Sequence, residues 1–121
     1  MTLKLRTIRA FEQVGVRWPV DTSAAVPIGP AVIQCESDHT IGLVCVVTTD
    51  AALMLRHAKL LVLLCAAAGF AEPASDQWIA RELIAAKGQA RKSIKMVGGV
   101  TFILTVDHPP TLIVFKAEEH V

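Results

Sequence analysis

Four histidines, three cysteines and eleven acidic residues give this 121-residue chain the raw material for chemistry, and their spacing limits what that chemistry can be. The densest cluster is the stretch CESDH, carrying Cys35, Glu36, Asp38 and His39, with Cys45 further on. Structural zinc takes about four N or S ligands, commonly with two cysteines only a few residues apart. Cys35 and Cys45 are too widely spaced for that pattern, and a hairpin tip rich in Ser, Asp and His accounts for the same residues through turn chemistry. No metal and no cofactor are therefore expected, and His39 is kept as a ligand-binding candidate only. A nucleophilic pair drawn from Cys35 or Cys45 with His39 or His57 would need a spatial contact and an activated thiolate, neither of which sequence supplies. Asp107-His108 precedes two prolines and reads as a turn rather than an acid–base dyad.

Three further residue sets carry possible binding roles. His57 sits between Arg56 and Lys59 in an otherwise apolar stretch. It reads either as a rim histidine with a partly wet ring or as an acid or base facing a pocket. Trp18, before Pro19, either plugs an edge of the core or lines a binding surface. Arg91, Lys92 and Lys95 form a basic cluster that could touch nucleic acid. A net charge of +1 argues against that use, because phosphate contacts call for a basic face. The VGGV segment has too few glycines for a phosphate loop and leads into a strand. RNA-binding sheets display exposed aromatics, whereas this chain has no Tyr.

These residues must be held by elements, and the element bearing His57 is the easiest to read. Residues 54–73, MLRHAKLLVLLCAAAGFAEP, have the grammar of a secretory signal: a basic start, a short apolar middle and a small-residue exit. The apolar run over residues 60–71 is shorter than the roughly 20 residues of a membrane span, and it lies far from the extreme N-terminus where signals sit. A core helix over about residues 50–69 explains more. Thr48, Thr49 and Asp50 offer N-caps, Gly69 offers a left-handed C-terminal position and Pro73 bars continuation. Its second half is apolar all round, which predicts burial on nearly every side.

Residues 3–14 place Leu5, Ile8, Phe11 and Val14 on one helical stripe ending at Gly15, although the same segment also alternates and could open as a strand. The connector WPVDTSAAVPIGP is expected to be extended and irregular. A hairpin follows across the turn at residues 37–40, and its second strand, apolar on both faces, belongs in the middle of a sheet. A second helix is expected over about residues 76–87, capped by Ser75 and stopped by Gly88. Its inner stripe is Ile79, Leu83 and Ala86, widened by Trp78 and Ile84. Strands over about 93–97, 100–106 and 111–116 complete the chain, the first two joined at Gly98-Gly99.

A turn at Gly98-Gly99 sets Val97 opposite Val100 and Ile94 opposite Ile103. A loop over residues 107–110 sets Leu104 opposite Ile113 and Phe102 opposite Phe115. One sheet face then carries Val97, Val100, Phe102, Leu104, Val106, Ile113 and Phe115, and belongs against the core helix. The other carries Ile94, Met96, Thr101, Ile103, Leu112 and Val114, too apolar for free exposure. The N-terminal helix is expected to cover part of it and a second copy of the chain the rest.

The expectation is one α+β domain over residues 1–121, order α-β-β-α-α-β-β-β, with an antiparallel sheet on a central apolar helix. Three cysteines without a dense framework suit a reducing compartment, here the cytoplasm, with no membrane contact. No catalytic set assembles and no substrate is implied, so enzymatic activity stays undecided. The leading function is a non-catalytic binding or protein-interaction domain working as a homodimer. The alternative is a small-molecule pocket or enzyme site between helices and sheet near His57.

Overall fold

The computed structural model describes residues 1–17, 25–28, 31–46, 51–87, 89–107 and 112–120, with residues 46 and 51–55 described in backbone only. The order is α1 (Leu3–Glu12), β1 (Val26–Ile28), β2 (Ala31–Ser37), β3 (Thr40–Val46), α2 (Ala51–Ala67), α3 (Ala74–Ala85), β4 (Arg91–Val97), β5 (Val100–Asp107) and β6 (Leu112–Glu119). The fold is α+β, as expected, with one more strand than the sequence predicts. That strand, β1, forms inside the proline-rich connector, where Val26 to Ile28 pair with Ile33 to Ala31 of β2. Pro27 lacks an N–H to donate, and an edge position tolerates that loss.

All six strands are antiparallel, in the order β1-β2-β3-β6-β5-β4. The apolar second hairpin strand, β3, is central, flanked by β2 and β6. Gly98 takes φ 59°, a conformation that costs a side-chain-bearing residue, and Val97 faces Val100 as the turn predicts. The β5–β6 register differs from expectation by two residues. Asp107 pairs with Leu112, so Leu104 meets Phe115 and Phe102 meets Ala117. Asp107 stays in the ladder instead of opening the loop. Because side chains alternate with period two, a two-residue shift leaves every residue on its predicted face.

The helices pack on one face of this sheet. Leu61, Leu64 and Cys65 of α2 are fully buried over Ile33, Leu43, Phe102, Leu104 and Phe115. After α2, Gly69 adopts φ 95° and the Phe70 N–H bonds back to the Cys65 carbonyl at 2.8 Å. This left-handed ending turns Phe70 inward, where it joins Trp78, Phe102 and Phe115, with Phe102 and Phe115 stacked at 6.0 Å. No helix among the described residues is long and apolar enough to cross a membrane.

Several local expectations give way to tertiary packing. The buried stripe of α1 is Leu3, Thr7 and Phe11, while Leu5 and Val14 are exposed. Thr7 can sit inward because its hydroxyl donates to the Leu3 carbonyl at 2.8 Å. α1 packs against α2 on the helical side, so it does not cover the second sheet face. α3 begins earlier, after Pro73, and Ser75 lies within it as a buried residue rather than as its cap. Ile84 does not widen the inner stripe of α3; it is exposed. Thr48, Thr49, Asp50, Gly88 and His108 lie outside the described residues.

Candidate functional site

His39, in the two-residue turn between β2 and β3, meets the end of β6. Its Nδ1–H donates to Glu119 Oε1 at 2.9 Å, and its carbonyl accepts the Glu119 N–H at 2.7 Å. Glu119 also pairs with the Arg6 guanidinium and accepts from the Leu3 N–H at the start of α1. The hydrogen bond from His39, then Arg6 and the Leu3 N–H, hold its carboxyl below the usual range against the opposing effect of burial. Next to it, His120 Nε2 and Thr101 Oγ1 share a hydrogen bond of 2.6 Å. Arg6, His39, Glu119 and His120 border an open cleft of about 620 Å³ reaching the Gly98-Gly99 turn. Chemically the cleft looks active, yet Glu119 already occupies its cationic partners and the helix N-terminus. Its arrangement ties α1 to the sheet end, assisted by Lys4, whose N–H donates to the Asp38 carbonyl at 3.0 Å. Sequence reasoning missed Glu119, because only the β3–β6 register brings it to His39.

His57 lies at the other side of the helical layer, on the first half of α2. It is 2% exposed, so the rim histidine with a wet ring is not what the fold provides. Neither Nδ1 nor Nε2 has a hydrogen-bond partner among the described residues, and both are sealed from solvent. Burial pushes its pKa below 6.5, so the ring is neutral at pH 7. His57 lines a cavity of about 760 Å³ bounded by the end of α1, β1, α2 and the start of α3. Val14, Val16, Ile28, Leu60, Val62 and Leu63 make the walls, with Arg56, Lys59, Glu72 and Asp76 among the polar lining. Two residues misplaced or unexplained by sequence thus gain a setting: Val14 and Ile28 face this space.

The remaining candidates do not converge on either site. Strand alternation puts Arg91 and Lys95 on the helical side of β4 and Lys92 on the other. Arg91 Nε pairs with Glu82 of α3 at 2.9 Å, and Lys95 Nζ lies 5.9 Å from the Phe70 ring centre. Glu82 also accepts from Ser93, which lowers its pKa first, with Arg91 adding to the effect. Trp18 lies outside the described residues. Cys35, Cys45 and Cys65 are free and buried, and burial raises all three thiols, Cys45 to about 11 and Cys65 to about 12. Such thiols are poor nucleophiles at neutral pH. Among the described residues no three His, Cys, Asp or Glu side chains group as a metal would require.

The second face of the sheet is the third feature. Val32 (39%), Val44 (38%), Ile94 (61%) and Met96 (69%) are exposed on it, and Ile103, Leu112 and Val114 are half-buried between them. The ladder sets Val32, Val44 and Val114 in one row and Ile103 and Ile94 in the next. Lys116 crosses the rows to pair with Glu36 at 3.1 Å. No family model, curated protein or solved structure matches this chain, so its own geometry carries the functional reading.

Proposed function

We propose that this domain is a non-catalytic interaction module that works as a homodimer through the second face of its sheet. The observation that carries this reading is the exposure of Val32, Val44, Ile94 and Met96 on a face that no described element covers. Five long strands at about 4.8 Å spacing, each about 23 Å long, make a face of several hundred Å². That lies below the roughly 800 Å² per partner of a standard interface but is of the same order, and its apolar part is large enough to form the centre of one. The charges on the face are mixed, with Lys92 and Lys116 among Glu36, Asp107 and Glu118, so two-fold pairing can oppose unlike charges. Pairing edge to edge is less favoured. β1 is three residues long and holds Pro27, and β4 carries Arg91, Lys92 and Lys95, devices that blunt edges. Light scattering at tens of micromolar tests the reading: a mass twice the 13.0 kDa chain is expected, and a monomer mass overturns it.

A second reading has its own support: the cavity beside His57 favours a small-molecule site between α1, β1 and α2. Its size lies within the roughly 300–1,000 Å³ of ligand pockets. Among the described residues no hydrogen-bonded partner orients the His57 ring, and the reading is one of binding. Titration with small aromatic probes, followed by NMR shifts confined to Val16, Ile28 and Leu63, tests it.

A further inference from the structure

We propose that the outer edge of β4 binds an extended acidic peptide of a partner protein, which adds to the sheet as one more antiparallel strand. This goes beyond the dimer reading and does not depend on it. β4 stands at one end of the sheet order and pairs with β5 in continuous register, from Arg91↔Val106 to Val97↔Val100. In a two-residue hairpin the pair flanking the turn exchanges both of its backbone hydrogen bonds, and bonding then alternates along the strand. Val97, Lys95, Ser93 and Arg91 therefore bond inward to β5, while the N–H and C=O groups of Lys92, Ile94 and Met96 point away from the sheet. No described strand takes them up. Free main-chain groups at strand spacing are a template for an added strand.

The charge on this edge selects the strand that fits it. β4 holds Arg91, Lys92 and Lys95 and no acidic residue. Arg91 is taken by Glu82, whereas Lys92 and Lys95 have no acidic partner among the described residues. A second β4 laid alongside would double the positive charge, so the feature that discourages self-pairing favours a strand carrying Asp or Glu. Ile94 and Met96, the most exposed apolar side chains of the second face, stand at alternate positions and offer contact to apolar side chains of the added strand. The partner is thus acidic opposite Lys92 and Lys95 and apolar opposite Ile94 and Met96. Nucleic acid fits the edge less well. Strand alternation sends Lys92 and Lys95 to opposite faces, and the described aromatic side chains are buried, so none is offered for a base to stack on.

The experiment uses the full chain and a synthetic peptide, acetyl-TVEVTEE-amide. Laid antiparallel, it sets its first glutamate opposite Lys95, its second valine opposite Ile94 and its second glutamate opposite Lys92. Binding is read by amide NMR shifts and hydrogen exchange. The peptide is expected to shift the β4 amides and to slow exchange at Lys92, Ile94 and Met96, whose N–H groups exchange fast without it. Binding should weaken with added salt. It should also fall roughly 2- to 30-fold in the double variant Lys92→Glu, Lys95→Glu, for loss of two exposed ion pairs, and that variant should prefer acetyl-TVKVTKK-amide. N-methylation of the second valine removes a main-chain donor aimed at β4 and should abolish the protection. Val114→Lys, which disrupts the proposed dimer face, should bind the peptide unchanged, so either reading can fail alone. No shift at millimolar peptide, equal binding of the basic peptide to the wild type, or undiminished binding of the N-methylated peptide overturns the proposal. Tighter binding of an oligothymidylate at the same amides, or protection that rises with protein concentration alone, overturns it in favour of nucleic acid or of a second copy. Should the double variant fail to fold, the basic and N-methylated peptides on the wild type decide.

Discussion

His39 and Glu119, 80 positions apart, meet in a 2.9 Å hydrogen bond where the β2–β3 turn touches the end of β6. The same carboxylate holds Arg6, so one side chain joins the first helix, a hairpin turn and the last strand. A carboxyl held below 4.5 in the folded chain stabilises it above the unfolded value, and that contribution is lost as pH falls through the lowered one. Glu119→Gln should cost roughly 1 kcal/mol near neutrality, the scale of partly exposed charged pairs. It should also flatten the loss of stability below about pH 4.5, measured by urea unfolding across that range.

His57→Leu should stabilise the protein. Removing a buried ring with two unpartnered nitrogens recovers roughly 1–3 kcal/mol, provided the leucine packs against the same walls. The gain should grow with acidity. A histidine whose folded pKa is depressed favours the fold above its unfolded value near 6.5, and that contribution falls away as pH drops. Denaturation midpoints at pH 7.5 and pH 5 should therefore diverge between wild type and variant. Parallel curves would mean that the ring is not desolvated.

Leu61→Ala and Leu64→Ala should each cost about 2–5 kcal/mol, because both side chains are fully buried and their removal leaves cavities. Guanidinium unfolding measures the loss. A cost under 1 kcal/mol at both positions would contradict α2 as the core helix.

All three thiols should resist labelling in the native protein and react once it is denatured. Burial raises Cys65 to about 12 and Cys45 to about 11, leaving almost no thiolate at pH 8. Thiol counting before and after guanidinium gives the comparison, and prompt native reaction of Cys65 would speak against the packing of α2 on the sheet.

Ile103→Lys or Val114→Lys should split the proposed dimer and leave the monomer folded, since both side chains point away from the helices and are only half-buried. Scattering mass and circular dichroism together separate the outcomes. Retention of the dimer with either lysine would place the interface elsewhere.

Local pattern alone determined much of this molecule. The run of leucines over residues 60–64 and Gly69 after it make a buried helix with a left-handed end. The Gly98-Gly99 pair fixes the β4–β5 register, and period-two alternation assigns every residue of β5 and β6 to its face even though their pairing slips by two. Edge pairing within a proline-rich connector depends on what lies beside it, so β1 became visible only once β2 presented a free edge. The stripe of α1 departs from its apolar periodicity for a related reason: Thr7 satisfies its hydroxyl on Leu3 and can be buried, and packing on α2 selects the side that faces inward. Likewise His57 could be suspected, but its two empty hydrogen-bond positions and the cavity beside it arise from four separate elements closing around it. Glu119 had no local signal at all. Hydrogen-bond partners remote in sequence are chosen by strand order and register, which are properties of the assembled sheet.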